Sequence, residues 1–362
     1  MKIKVLIYPK EPNPYQELLY RRIREKGIPC KYFTSSFVEK HGFIYGIPSM
    51  PFRLLFKRLT GSNIFHLHWA YHFLIPIPGK IGRYLSSLYA IYFLFFVKLF
   101  GFKLVWTVHN IMPHENQFHN DKLIYNLFYA LADAKIVHTE ETIKRLADKG
   151  FDSKNTYVIE IGNYLGLYQN TISKEEARKK LEIDAKDYVF LFIGMVKKYK
   201  GIQDLLKTYS YLLGKKHLKD TKLIIAGKPF DTETTEFISN FAKEEPSILP
   251  TLKYIPDNEL QVYLNACNSV VLPFKDITTT SSALLAFGFK RAVVAPLIGA
   301  ITTFPQDTGY YYDKSEGLIK GLQDAYKNGT SNKGENAFEY VKTLKWENSA
   351  EKTINLYNLI IK

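Results

Sequence analysis

Apolar positions along the chain fall into short runs separated by polar stretches containing Gly and Pro. Lys2 to Tyr8 reads as a strand that stops in the loop Pro9–Pro14, and a helix follows from near Tyr15. Further strands are predicted at Ile64–His68, Lys103–Val108, Ala134–His138 and Asn155–Ile159, with helical segments between them. A polar connection, Gly162 to Asp187, leads into a second series. Its strands are predicted at Tyr188–Ile193, Lys222–Ala226, Leu252–Ile255, Ser269–Leu272 and Ala292–Ala295. Its helices are predicted at Ile202–Leu213, Thr232–Lys243, Asp257–Ala266 (capped by Asp257) and Ala283–Phe289, with a closing helix near Trp346–Ile361. Strands alternating with helices imply an α/β fold with helix-covered parallel sheets. The first strand lacks the Gly-rich dinucleotide fingerprint, which makes a simple Rossmann dehydrogenase a poor fit.

The segment Tyr84 to Val97 departs from this alternation: it is uncharged and aromatic, with Arg83 before it and Lys98 after. It is shorter than the roughly 20 residues a bilayer span requires. It reads as a buried helix. The basic and bulky apolar residues interleaved upstream, among them Phe52, Arg53, Phe56, Lys57 and Arg58, also suit a protein lying on an anionic membrane face.

At 362 residues the chain exceeds one ordinary core, and two domains of roughly 150 to 180 residues are expected. Boundaries are placed at 1–165 and 166–340, with 341–362 a helix able to pack back on the first domain. With 49 basic and 35 acidic side chains the net charge is +14, which points to an anionic partner. No basic-aromatic reader motif appears, so nucleic acid is not the expected one. Cys30 and Cys267 form no metal or redox spacing, and the N-terminus runs straight into a strand; a cytoplasmic setting, peripheral on the inner membrane face if the aromatic segment is exposed, is the expectation.

Candidate chemistry sits at strand ends. Between Leu272 and the Ala292 strand, the hydroxyl residues Thr278, Thr279, Thr280, Ser281 and Ser282 open an apolar helix. Backbone N–H groups at such a helix start favour an anion, and phosphate is the expected guest, although Ser and Thr also cap ordinary helices. The turn Gly194 to Gly201 carries Lys197, Lys198 and Lys200, and Gly227-Lys228 ends the next strand. Glycines permit close approach and lysines neutralise phosphate. The N-terminal half instead supplies His66 and His68, then His109, then His114 beside Glu115. Imidazole and carboxylate suit proton transfer, and the spacings match no zinc pattern. His138, in a buried strand, reads as a core histidine.

FLFIGMVKKYKGIQDLL, LIIAGKP, the stretch from YIPDNELQVYL to VVAPLIGA and the closing LKWENSAEKTINLYNLI resemble the C-terminal half of a GT-B glycosyltransferase of the group 1 type. NIFHLHW, FKLVWTVHNIMPHE and AKIVHTEETIKRL resemble the acceptor half of the same proteins. The resemblance implies two Rossmann-like domains facing a central cleft, and transfer from a nucleotide-diphosphate sugar, GDP- or UDP-linked, to a hydroxyl of a lipid-linked or polysaccharide acceptor. By position, Lys200 matches the diphosphate-clamping lysine, Lys197 the second cation, Thr279 to Ser282 the distal-phosphate turn, and His109 a histidine that reaches the transferred sugar. Gly194 and Lys228 join the donor side; His66 and His68 fall on the acceptor side. No metal or other cofactor is expected, the nucleotide sugar being a substrate. Retaining members carry two glutamates around the donor turn, whereas this chain has Leu285 at the second position, only Asp276 near the first, and a later glycine loop, Gly299 to Thr303, without a glutamate. Inversion is therefore expected, with Glu115, then His114, as base and a β-linked product. The alternatives are a retaining transferase and a non-catalytic scaffold that binds nucleotide sugar.

Overall fold

A computed structural model describes residues 2–33, 36–113, 115–313 and 317–362, with side chains throughout except in 36–45. The chain forms two compact units, Met1–Gly162 with Lys345–Lys362, and Asn163–Leu344.

The first unit runs β1 (Val5–Tyr8), α1 (Pro14–Glu25), β2 (Cys30–Tyr32), α2 (Ser36–Leu59), β3 (Ile64–Leu67), α3 (Gly79–Leu99), β4 (Lys103–Thr107), α4 (Asp121–Leu131), β5 (Ala134–Val137), α5 (Glu140–Asp148) and β6 (Thr156–Val158). Its strands form one parallel sheet in the order β2-β1-β3-β4-β5-β6. β1, β3 and β5 are buried at every position, as strands covered on both faces must be, and apart from His66 and Lys135 every residue in them is apolar. Met50 and Leu54 of α2, Tyr89, Phe93 and Val97 of α3, and Ile124 and Phe128 of α4 share one core with Phe65 and Trp106 of the sheet.

The second unit runs α6 (Lys174–Lys180), β7 (Tyr188–Ile193), α7 (Ile202–Gly214), β8 (Thr221–Ala226), α8 (Thr232–Glu244), β9 (Ile248–Thr251), α9 (Leu260–Ala266), β10 (Ser269–Val271), α10 (Ser281–Gly288), β11 (Ala292–Pro296), β12 (Gly309–Tyr312), α11 (Gly317–Asn328) and α12 (Ser331–Thr343). Its parallel sheet has the order β12-β11-β10-β7-β8-β9. The last helix, α13 (Trp346–Ile361), returns to the first unit and packs on α1, where Arg22 and Glu347 pair at 3.0 Å.

Several expectations need correction. The strand expected at Leu252–Ile255 lies at Ile248–Thr251, on the sheet edge, where Pro250 is tolerated because it owes no ladder donor. Asp257 caps no helix; it sits in a turn before α9, whose cap residue Glu259 makes no side-chain cap bond. The supposed connection Gly162–Asp187 contains α6, opened by a capping box between Ser173 and Glu176. The aromatic segment is part of the longer α3, and only one face of it is buried.

Candidate functional site

In an open parallel sheet, ligands bind beyond the carboxyl ends of strands where the strand order reverses. In the second unit that point lies between β7 and β10, because the chain builds outward from β7 through β8 in one direction and from β10 through β11 in the other. The lysine turn follows β7 and the hydroxyl turn follows β10, so the sheet topology brings the two together.

Contacts between these loops fix their approach. Gly201, at φ +75°, ends the lysine turn, and a Cβ there would lie 1.8 Å from the Pro273 carbonyl oxygen. The Lys275 N–H donates to the Tyr199 carbonyl at 3.1 Å. Gly194 has φ +123°, and a Cβ on it would sit 3.5 Å from Lys200 Nζ and 4.0 Å from Ser282 Oγ. The Lys200 ammonium, the Ser282 hydroxyl and the Gly194 backbone thus border one small space at the start of α10. Thr280 caps that helix, its hydroxyl accepting from the Ala283 N–H at 3.3 Å. N–H groups of a first helical turn lack intrahelical acceptors, so those of α10 point the positive end of the helix into the same space. Burial, and then the neighbouring charge of Lys197, lower the Lys200 pKa to about 8. An anion there would relieve both effects.

The other predicted donor residues lie around this centre. Lys197 Nζ stands 4.0 Å above the Phe230 ring centroid. Lys228 is exposed, and its carbonyl accepts from the Val196 N–H at 3.0 Å, tying the β8 loop to the lysine turn. Thr279 and Ser281 are partly or fully exposed on the turn. The later glycine loop packs on its far side, with the Ala300 N–H donating to the Thr278 carbonyl at 3.1 Å. Between Asp276 and Asp307 the chain carries no carboxylate, and Leu285 is half-buried within α10.

The histidines of the first unit stand at the carboxyl ends of three adjacent strands, His68 after β3, His109 after β4 and His138 after β5. The His109 ring stacks on Trp69 at 4.2 Å and 10°, and its Nε2 lies 3.2 Å from His68 Nδ1. His68 Nε2 meets the Tyr20 hydroxyl at 2.7 Å, which also lies 2.7 Å from His66 Nδ1. The Tyr357 hydroxyl of α13 is 2.6 Å from the same His66 nitrogen, and Thr107 Oγ1 is 2.8 Å from His66 Nε2. His66 is therefore an interior residue with both ring nitrogens engaged. This corrects its expected acceptor-facing place. His68 is buried behind His109. Burial holds all four imidazoles neutral, lowering His66 to about 3 and His138 to about 4, and His68 and His109 well below the usual range. His138 Nδ1 donates to the Ile159 carbonyl at 2.7 Å, which leaves Nε2 a bare lone pair; it is buried without a partner among the described residues. The core reading of His138 thus holds for only one of its nitrogens.

Glu115 is exposed on the loop between β4 and α4, a loop tied down by Asp121, whose carboxylate accepts from the Phe118 N–H at 2.7 Å. His114 lies outside the described residues. Among the described residues no group of three or more His, Cys, Asp or Glu is arranged to hold a metal ion. Sequence reasoning missed Tyr20, Trp69 and Tyr357, and Tyr15, whose ring stands edge-on to His109 at 5.0 Å. Trp69 was signalled by the HLHW run; Tyr357 stands 291 residues from His66 and no local pattern points to it.

Residues 173–282, which include the lysine turn and the hydroxyl turn, match the model of the glycosyl transferases group 1 family. The fold is also that of GT-B enzymes: a sucrose-phosphate synthase from Thermosynechococcus elongatus superposes with a TM-score of 0.74 at 18% identity, over 100% of this chain and 99% of that one. Anabaena HepE, solved in complex with UDP and glucose, gives a TM-score of 0.70 at 13% identity, over 98% and 99%. The fold and the family match together mark a glycosyltransferase, with the likeness to group 1 carried by residues 173–282. Among curated relatives, a GDP-mannose:glycolipid 4-beta-D-mannosyltransferase of Xanthomonas campestris pv. campestris is 23% identical over 74% of this chain and 72% of its own. A D-inositol 3-phosphate glycosyltransferase of Corynebacterium glutamicum is 23% identical over 78% and 70%.

Proposed function

We propose that this glycosyltransferase moves a sugar from a GDP- or UDP-linked donor to a hydroxyl of a lipid-linked or polysaccharide acceptor, with inversion and a β-linked product, in the assembly of a cell-surface polysaccharide. The observation that carries the donor side is the meeting of Lys200, Gly194 and Ser282 at the start of α10. A diphosphate there receives a charge-assisted bond from Lys200, the hydroxyls of Thr279 to Ser282 and the helix N-terminus, with Lys197 and Lys228 as outer cations. These groups neutralise a leaving diphosphate without a metal ion.

Inversion needs one group to take the acceptor proton, and no carboxylate lies between Asp276 and Asp307 to shield a cationic sugar from the donor side. Glu115 is the base in this reading, with His114 its alternate, and neutral His109 hydrogen-bonds the transferred sugar. The relatives named for glycolipid and inositol phosphate acceptors support an acceptor of that broad class, and the β-linkage in the mannosyltransferase's name supports inversion. The test is incubation with a panel of nucleotide sugars, including GDP-mannose and UDP-glucose, with and without EDTA. Consumption of one donor, unaffected by EDTA, is expected. Nucleotide binding without consumption of any donor would favour the scaffold, and loss in EDTA restored by a divalent ion would overturn the metal-free reading.

A further inference from the structure

A helix resting on a core normally turns polar residues to solvent. α3 does the opposite. Its outward positions from Ile81 to the end are Ile81, Tyr84, Leu88, Ile91, Phe95 and Leu99, each between 41% and 70% exposed. The spacing of three and four residues keeps them on one stripe about 30 Å long. The neighbouring helix α2 ends in a second stripe, with Phe52, Phe56 and Leu59 between 62% and 77% exposed. Arg58 of α2 donates from Nε to the Phe100 carbonyl at 3.1 Å, which ties the ends of the two helices together.

Charge selects among the partners that such a surface admits. Between Glu39 and Glu115 the sequence contains no Asp or Glu, while Arg53, Lys57, Arg58, Lys80, Arg83, Lys98 and Lys103 all fall there. Asp133 of the α4–β5 turn offsets part of this, pairing with Lys98 at 2.6 Å and Lys103 at 3.6 Å. Lys57 and Arg58 close α2, and Lys80 and Arg83 open α3, so cations flank the apolar stripes at both ends. A second copy would set this basic surface against itself, whereas an anionic lipid surface supplies headgroup charge to the rim and acyl chains to the stripes. The inward face of α3 is fixed in the core through Tyr89, Phe93, Leu94 and Val97, so the helix lies along a bilayer surface and does not cross it. No helix among the described residues is long and apolar enough to cross a membrane.

We infer that the outer faces of α2 and α3 dock the protein, lying flat, on an anionic lipid bilayer. This rests on the lipid-acceptor side of the reading above only for its purpose, since docking is measured without donor or acceptor.

The experiment is flotation of the whole protein with vesicles of phosphatidylcholine alone and of phosphatidylcholine with phosphatidylglycerol, at low and high salt. Leu88→Ser/Ile91→Ser/Phe95→Ser and Phe56→Ser/Leu59→Ser variants are run beside it, with circular dichroism and light scattering on each. Binding to anionic vesicles is expected to weaken as the Debye length falls from about 10 Å at about 0.1 M to about 3 Å at about 1 M salt. Each variant should lose about tenfold or more in vesicle affinity with an unchanged spectrum. Variants that bind like the parent, a parent that floats with neither vesicle, or a parent dimer that the substitutions turn into a monomer would each overturn the inference.

Discussion

His68 Nδ1 lies 3.2 Å from His109 Nε2, and both rings are buried and neutral, so one imidazole donates to the other. The tautomer of His109, and hence whether its other nitrogen offers a proton or a lone pair, is set by His68. His68 is linked in turn to the Tyr20 hydroxyl at 2.7 Å. A residue of α1 is thereby connected to a group at the end of β4 through two hydrogen bonds.

Removing that hydroxyl should be costly. Tyr20→Phe leaves His68 Nε2 without its hydroxyl partner, while His66 Nδ1 keeps the Tyr357 hydroxyl, and a buried polar group left unpaired costs about 1–3 kcal/mol. The urea midpoint of the first unit is expected to fall accordingly, while nucleotide binding by the second unit stays unchanged. An unaltered midpoint would mean that the network is not formed as described.

The same burial gives an acid response with a definite sign. Unfolded histidine titrates near about 6.5, and the folded values are depressed, to about 4 for His138 and about 3 for His66. Above about pH 6.5 both states are neutral and the contribution is constant. As pH falls below it the unfolded chain takes up protons that the folded chain refuses, so stability declines through pH 4 and toward 3. Denaturant melts at pH 7, 5.5 and 4.5 should show that steady loss. His138→Asn should flatten part of it, and a parent profile flat over this range would contradict the burial of these rings.

Lys200 predicts a pH dependence at the other end. With its pKa at about 8 in the unliganded protein, the ammonium is charged at pH 7 and loses its proton as pH rises through 8. Affinity for the nucleoside diphosphate should therefore fall between pH 7 and pH 9. Lys200→Ala should weaken binding by about 1.5–3 kcal/mol at pH 7, the worth of a hydrogen bond to a charged group, and abolish the fall. Calorimetric titration with GDP and UDP measures both. Unchanged affinity in Lys200→Ala removes this lysine from the site.

How far the sequence reached differs between elements. β7 and α13 begin and end where periodicity placed them, because each is a full apolar or amphipathic run bounded by polar residues. β2 was missed because three residues with an exposed Lys31 make no readable run, and β9 was displaced because Pro250 argued against a strand. The lysine and hydroxyl turns stood out as clusters at strand ends, though a solvated basic turn or an ordinary cap reads the same way; their approach through Gly201 and Pro273 did not, since it depends on strand order. The aromatic segment of α3 was misleading for a related reason. Apolar residues on every side read as burial all round, and only its packing shows that one face is left outward.

The most direct test of the account is the anomeric configuration of the product. A one-bond C–H coupling measured by NMR on product formed from an α-linked nucleotide sugar should report a β-linkage, as in-line attack from the opposite face requires. Glu115→Gln should lower turnover by about two orders of magnitude or more with nucleotide affinity intact. A β-linked product with a fully active Glu115→Gln variant would move the base to His114 or His109 and leave inversion standing. An α-linked product would contradict the inverting mechanism itself.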